Sequence, residues 1–297
     1  MARIVYFGNP QIAVPPLRRL VDDGHEIALV VTGEDKRRGR GRSKSASAVK
    51  VAATEMGIEV TSSLQDAGEV ASDLGVVVAF GKLIPAELLG LVPMVNLHFS
   101  ALPRWRGAAP LERAILAGDE TTAVCVMEVV RELDAGGIYL SETVKIPEND
   151  YLSDLRDRMV EVGSELVSRA VANGLSSLPE PAPQRGEVSY AHKLRPEELK
   201  IDWERPVQKV MRLVRIEAAW TTFRSKRLRV LVATPVLGPS DRSISPGEIC
   251  VDEERCLVGC GDSPLDIGYV QPENSRRMTA GEWVRGARPL QGERLGS

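Results

Sequence analysis

Apolar residues come along this chain in short blocks that predict strand, helix and strand in alternation. Ile4 to Phe7 is a continuous apolar run, read as a buried strand over residues 3–7 and closed by the turn Gly8-Asn9-Pro10. Leu17, Leu20 and Val21 then share helical spacing, with Pro15 and Pro16 tolerable in a first turn and Gly24 as the stop. Residues 27–32 predict the next strand. Residues 33–47 carry no periodicity and predict a mobile loop. A short helix over residues 49–56 follows, then strands over 58–61, 76–80, 95–98 and 122–130. This alternation argues for a doubly wound, Rossmann-like α/β domain.

Leu155, Met159, Val162, Leu166 and Val167 then fall on one helical face, which predicts a helix over residues 151–173 ended by Gly174. Pro179, Pro181 and Pro183 read as a linker. Beyond it Val207, Val210, Met211 and Val214 share one face of an amphipathic helix, with Arg205, Lys209 and Arg212 opposite. Short strand-like runs over 228–233, 248–251, 257–259 and 265–270 predict a small β-barrel or sandwich. The expected organisation is an α/β domain over residues 1–177, a linker over 178–204 and a smaller β-domain over 205–297.

Composition narrows the picture. Aromatic residues are only 4% of the 297, so the core must be mostly Val, Leu, Ala and Ile, which suits a parallel sheet covered by helices. No apolar run approaches the length that crosses a bilayer, and the opening apolar stretch is too short for a signal peptide. A cytoplasmic protein without membrane contact is expected. Cys125, Cys250, Cys256 and Cys260 show neither a disulfide framework nor a C-x-x-C pair, so small buried side chains and no bound metal are expected. Net charge is −3, yet Lys36, Arg37, Arg38, Arg40, Arg42 and Lys44 crowd one stretch with Gly39 and Gly41. A second concentration holds Arg205, Lys209, Arg212, Arg215, Arg224, Lys226, Arg227 and Arg229. On an acidic chain such stripes are either solvated surfaces or the footprint of a polyanion.

The densest chemical signal runs from Asn96 to Pro110. Asn96 and His98, two apart on a strand, point to one face at its carboxyl end, where open α/β sheets hold their ligands. Polar side chains there are either satisfied core groups or a site. The rigid turn that follows, Ser100-Ala101-Leu102-Pro103 and then Trp105-Arg106-Gly107, is suited to presenting backbone groups. Asp134 stands where a strand ends in the Gly136-Gly137 bend, as a turn former or as a functional carboxylate. An amide, an imidazole and a carboxylate together suit oxyanion stabilisation and proton transfer. Gly8-Asn9-Pro10 offers no G-x-G-x-x-G, so no dinucleotide site is signalled.

The stretch from Asn96 to Pro110 resembles the signature of the methionyl-tRNA formyltransferases, and Asn-x-His with Leu133-Asp134-x-Gly136 resembles the wider folate-dependent formyltransferases. Phe7-Gly8-Asn9-Pro10, Val78-Ala79-Phe80-Gly81, Asp35 with Gly39-Arg40-Gly41, and Ser189-Tyr190-Ala191-His192-Lys193-Leu194 with Ile201-Asp202-Trp203 extend the likeness along the chain. Gly261-Asp262, Gln271-Pro272 and Arg277-Met278 resemble pieces of the family's C-terminal barrel. Asn9, Ala101 and Gly137 depart from the usual residues, and the C-terminal domain looks shortened before Trp220.

The resemblance implies a Rossmann-like formyltransferase domain followed by an OB-like β-barrel. It implies transfer of a formyl group from 10-formyl-tetrahydrofolate to the amino group of initiator methionyl-tRNA, by a monomer without a metal. Asn96, His98 and Asp134 match the catalytic trio. Ser100, Ala101, Leu102 and Pro103 match the folate-binding stretch, with Phe80 and Gly81 bordering the pterin slot. Lys36, Arg37, Arg38, Arg40, Arg42 and Lys44, with Lys209 and Arg212, are the expected tRNA contacts. An amino-sugar-nucleotide formyltransferase would share the trio but would not need the basic loop. A non-catalytic RNA-binding protein on this scaffold would keep the stripes without the trio.

Overall fold

The computed structural model describes residues 1–37, 44–236, 244–252 and 255–296. Its contacts divide the chain into two units. One comprises Met1–Leu111, Glu120–Ile146 and Leu155–His192, the other Glu112–Asp119, Pro147–Asp154 and Lys193–Ser297.

In chain order the first elements are β1 (Arg3–Gly8), α1 (Val14–Asp22), β2 (Glu26–Val31), β3 (Lys36–Arg37), β4 (Lys44–Ser45) and α2 (Ala48–Glu55). Then come β5 (Val60–Thr61), α3 (Leu64–Glu69), β6 (Leu74–Val78), α4 (Ala86–Leu91) and β7 (Met94–His98). They are followed by β8 (Arg106–Gly107), α5 (Pro110–Ala117), β9 (Thr121–Glu128), β10 (Ile138–Lys145), α6 (Leu152–Val171) and β11 (Tyr190–Ala191). Seven strands form one sheet in the order β10-β9-β7-β6-β1-β2-β5. The stretch from β7 to β5 is parallel, and β9 and β10 complete the sheet through antiparallel pairings. The continuous apolar runs of β1 and β6 are buried, as a strand covered on both faces requires. Helix α6 crosses the sheet at Gly163, where a Cβ would stand 3.1 Å from both Leu97 and Phe99, so the glycine lets helix and sheet approach closely.

Two expectations are corrected and one strand is added. The sheet is parallel over five strands with an antiparallel pair at one edge. Its outermost strand, β10, was not signalled because an edge strand needs no apolar run, and only Val144 of it is buried. The strand expected over 76–80 stops at Val78, because Ala79 turns into the left-handed region at φ 47°. The ends of the aperiodic segment pair as a short antiparallel ladder, Lys36 opposite Ser45 and Arg37 opposite Lys44.

The Pro-rich stretch does not run free. Ala182 exchanges backbone hydrogen bonds with Ile138 at 2.8 and 2.9 Å, and β11 pairs with β8.

The second unit contains α7 (Val207–Arg215), β12 (Trp220–Phe223), β13 (Lys226–Pro235), β14 (Ile249–Asp252), β15 (Arg255–Val258), β16 (Leu265–Pro272), β17 (Met278–Thr279) and α8 (Ala280–Ala287). Its antiparallel sheet has the order β12-β13-β16-β15-β14, with β17 beside β16. The C-terminal residues bridge its two edges. Ile249 N–H donates to Glu293 O, and Gly296 N–H donates to Thr222 O, so β14 and β12 are joined through the tail as in a small barrel. Val207, Val210, Met211 and Val214 of α7 enter the same core as Trp203, Phe223 and Trp283, as the helical pattern predicted.

Candidate active site

Asn96 and His98 lie on β7, with Asn96 opposite Val77 of β6 and His98 opposite Cys125 of β9. The two-residue strand period turns both side chains to one face. His98 is buried, and Asn96 is half-buried with no side-chain hydrogen bond among the described residues, so its amide remains available as a donor. Burial pushes the Cys125 thiol up and it caps the Ser100 carbonyl at 3.2 Å, which makes it a packing group rather than a nucleophile.

Asp134 is brought to the same place from the bend after β9. It sits at φ 49°, a left-handed conformation that Asp tolerates better than most residues. At the bend itself a Cβ on Gly136 would stand 2.0 Å from the Glu128 carbonyl, and one on Gly137 2.7 Å from Pro181, so both positions require glycine. Asp134 Oδ2 accepts from Gly107 N–H at 2.7 Å, and His98 Nδ1 stands 3.7 Å from that oxygen, too far for a hydrogen bond. The imidazole is held instead through Nε2, 3.2 Å from the Trp105 carbonyl. A carbonyl only accepts, so Nε2 carries the proton of that bond.

The segment between them is built around a cis Leu102–Pro103 bond. Ser100 is fully buried and its hydroxyl donates to the Arg104 carbonyl at 2.8 Å. Leu102 and Pro103 are buried and Ala101 is half-buried. Gly81 is exposed at φ 74° with open space where a Cβ would be, but the Phe80 ring is buried edge-on against Phe7 at 5.5 Å between centroids. Phe80 can therefore border a slot only with its backbone. Its carbonyl accepts from the Asn9 amide, whose oxygen accepts from Gly33 N–H, so the departure at position 9 joins two loop ends at the crevice between β1 and β6.

The basic stripes divide differently from expectation. Arg38, Arg40 and Arg42 lie outside the described residues, as do the side chains of Lys36, Arg37 and Lys44. Lys209 is exposed. Arg212 donates to the Ala117 carbonyl at 3.3 Å and lies over Gly118, at the negative end of α5. Arg215 is buried and donates to the Asp150 and Pro147 carbonyls at 2.6 and 2.7 Å. Arg205 pairs with Asp202 at 3.1 Å, Arg224 with Glu293 at 2.6 Å, and Arg229 bonds Gln271 at 3.0 Å. Of that stripe, only Lys209, Lys226 and Arg227 have no hydrogen-bond or ion-pair partner for the side chain among the described residues; Arg227 stacks on Trp220 at 4.5 Å. The charge pattern along the chain could not separate these groups.

Sequence reasoning missed Arg106, Gln184 and Ser189, which brace the site. Arg106 was visible only as part of a turn and Ser189 only as the first residue of a linker motif, and nothing local marks Gln184.

A family model described as formyl transferase matches residues 2–171, and one described as formyl transferase, C-terminal domain, matches residues 193–288. Methionyl-tRNA formyltransferase of Thermobifida fusca is 40% identical over 309 residues, covering 99% of each chain. HypX from Aquifex aeolicus, solved in complex with tetrahydrofolic acid, shares the fold with a TM-score of 0.68 at 19% identity, over 95% of this chain and 47% of that one. Methionyl-tRNA formyltransferase from Clostridium thermocellum shares it with a TM-score of 0.57 at 15% identity, over 79% of this chain and 93% of that one. The chain belongs to the formyl transferase family, among the methionyl-tRNA formyltransferases.

Proposed function

We propose that the chain carries the formyl group of 10-formyl-tetrahydrofolate onto the α-amino group of initiator methionyl-tRNA, with Asn96, His98 and Asp134 around the reacting carbon. Formylation of methionyl-tRNA with a folate donor follows from full-length kinship with enzymes of that name. The observation that carries the site is convergence. His98 Nδ1 and Asp134 Oδ2, both nearly buried, meet at 3.7 Å beside a half-buried amide with no hydrogen-bond partner among the described residues.

When the amine attacks the formyl carbon, negative charge grows on the formyl oxygen. Asn96 donates an N–H to it, which stabilises the charge more as it develops than in the ground state. His98 Nε2–H is the second donor, and it reaches the oxygen by exchanging the Trp105 carbonyl for it. Asp134 keeps Oδ2 on Gly107, so Oδ1 takes the proton that the attacking nitrogen sheds, directly or through a water. Oδ1 then passes that same proton to the nitrogen released from the donor, so the transfer is balanced and Asp134 ends as a carboxylate. Ser100 to Pro103, with Gly81 and the Phe80 backbone, line the donor side.

Lys36, Arg37, Arg38, Arg40, Arg42 and Lys44 hold the acceptor end of the tRNA, and Lys209 binds a further phosphate. Arg212 gives one N–H to the Ala117 carbonyl and offers its remaining donors to a neighbouring phosphate. One copy of the chain contributes the whole trio, so a monomer suffices. Charged tRNA and reduced folate meet in the cytoplasm. The test is formyl transfer to initiator methionyl-tRNA, elongator methionyl-tRNA and an amino sugar nucleotide in parallel. Turnover of the sugar nucleotide without turnover of tRNA would overturn the acceptor.

A further inference from the structure

The groups that fix the trio come from a stretch where composition alone signals only a linker. Gln184 Nε2–H₂ donates to the carbonyls of Asp134 and Gly136 at 2.8 and 2.9 Å. Its Oε1 accepts from Arg106 Nε and Nη2 at 3.1 and 2.7 Å, and the Arg106 guanidinium is buried there with Glu132 3.3 Å away. Every hydrogen-bonding atom of the Gln184 amide is thus spent on the loop that carries Asp134 or on the arginine beside it. Five residues on, Ser189 Oγ accepts from Trp105 N–H at 3.0 Å, and the Ser189 carbonyl accepts from Arg106 N–H at 2.9 Å. Trp105, held at φ 64°, is the residue whose carbonyl engages His98 Nε2. The pairing of β11 with β8 and the bonds from Ala108 and Ala109 N–H to the Ala191 carbonyl complete the strap.

We infer that residues 182–191 are a positioning strap for the reaction, in which Gln184 sets Asp134 and Ser189, through Trp105, sets His98. The inference rests on the trio being the catalytic site. Neither residue touches substrate. Gln184 fixes both ends of a bend whose backbone conformation is otherwise disfavoured, and Ser189 fixes the carbonyl that selects which ring nitrogen carries the proton. Small displacements of reacting groups cost rate steeply, so the strap acts on turnover rather than on substrate affinity.

Gln184→Glu isolates the effect, because it keeps an acceptor for Arg106 and replaces the donor to the two carbonyls with another acceptor. We expect kcat to fall about 10- to 100-fold while KM for folate and for tRNA stays within about twofold. Facing two carbonyls with a carboxylate oxygen also lowers stability, so rates are compared well below the melting temperature of each variant. Introduced into Asp134→Asn, the same change should cost little more, since residues acting through one another are not additive. Ser189→Ala should slow turnover and Ser189→Thr should restore it. Wild-type kcat in Gln184→Glu would overturn the inference, as would losses that add in the double variant. Equal slowness of Ser189→Ala and Ser189→Thr would overturn the hydroxyl's part. Full activity of Asp134→Asn alone would instead sink the assignment of the site itself.

Discussion

The Gly107 N–H donates to Asp134 Oδ2 at 2.7 Å, and that bond decides which oxygen of the carboxylate is left for chemistry. Gly107 sits at φ 114°, and a Cβ there would stand 3.2 Å from the Ala191 carbonyl. Gly107→Ala should therefore strain the backbone by about 1–3 kcal/mol and shift the amide that anchors Asp134. We expect a loss of kcat larger than the loss of stability alone explains at the assay temperature. Steady-state rates beside a urea titration separate the two.

Asn96→Ala removes a donor that bonds nothing among the described residues in the free protein. Its stability should be near wild type, while turnover should fall about 100- to 1000-fold, as for one oxyanion donor. Asp134→Asn keeps the left-handed residue and the Gly107 bond but cannot accept a proton, and should cost about 100-fold or more. A melting curve that drops with the rate in either variant would assign the residue to packing.

Much of the fold was legible because parallel strands write themselves as apolar runs, and Asn96 and His98 because they share β7; Asp134, in the bend between β9 and β10, was picked out by the resemblance. The half-exposed β10 left no such mark. The pairing within the second basic stripe was not legible, since a guanidinium's partner can be a distant carboxylate or carbonyl. Arg224 meets Glu293 and Arg229 meets Gln271, and only the folded chain supplies such partners. Gln184 was hidden for the same reason: its bonds to Asp134 and Gly136 cross about fifty positions of sequence.

His25 gives the α/β unit a pH dependence. It is buried, and its Nδ1 accepts from Ala2 N–H at 3.1 Å, a bond only the deprotonated nitrogen can make. Burial pulls its pKa below the ordinary 6.5, the N-terminal ammonium adds to this, and Asp23 opposes it. The unfolded chain therefore binds the proton more readily. The stabilisation is full above about pH 6.5 and is lost as pH falls through the lower folded value. The melting temperature of His25→Gln, relative to wild type, should be lowest and flat from pH 8 to about 6.5 and should rise from there toward pH 5. Parallel curves across that range would refute the linkage.

Changing Lys36, Arg37 and Arg38 to Ala should weaken tRNA binding and leave folate binding unchanged. For every phosphate that no longer meets a cation, the slope of log affinity against log salt should flatten by about 0.7 to 0.9. If Arg40 or Arg42 positions the acceptor end, its replacement should lower the rate as well as the affinity. An unchanged salt slope in the triple variant, with full activity in Arg40→Ala and Arg42→Ala, would make the segment a solvated surface.

Arg215 and Lys209 share a helix and a charge, yet they should fail in opposite ways. The Arg215 guanidinium is buried and supplies the hydrogen bonds of two backbone carbonyls, at Asp150 and Pro147. Arg215→Ala removes a buried guanidinium and its two bonds, although the Pro147 carbonyl still accepts from Asp150 N–H at 3.1 Å, at a cost of about 1–3 kcal/mol. The urea midpoint should move down with an unchanged slope, and tRNA affinity measured well below that midpoint should hold. Lys209 is exposed on α7, so Lys209→Ala should leave stability within about 0.5 kcal/mol of wild type. If it meets a phosphate, its replacement should weaken tRNA binding uniformly across sequences and reduce the salt slope by the increment of about one phosphate. A Lys209→Ala protein that binds tRNA with wild-type affinity and slope would remove α7 from the RNA interface. An Arg215→Ala protein of wild-type stability would show that the buried guanidinium contributes nothing to the fold.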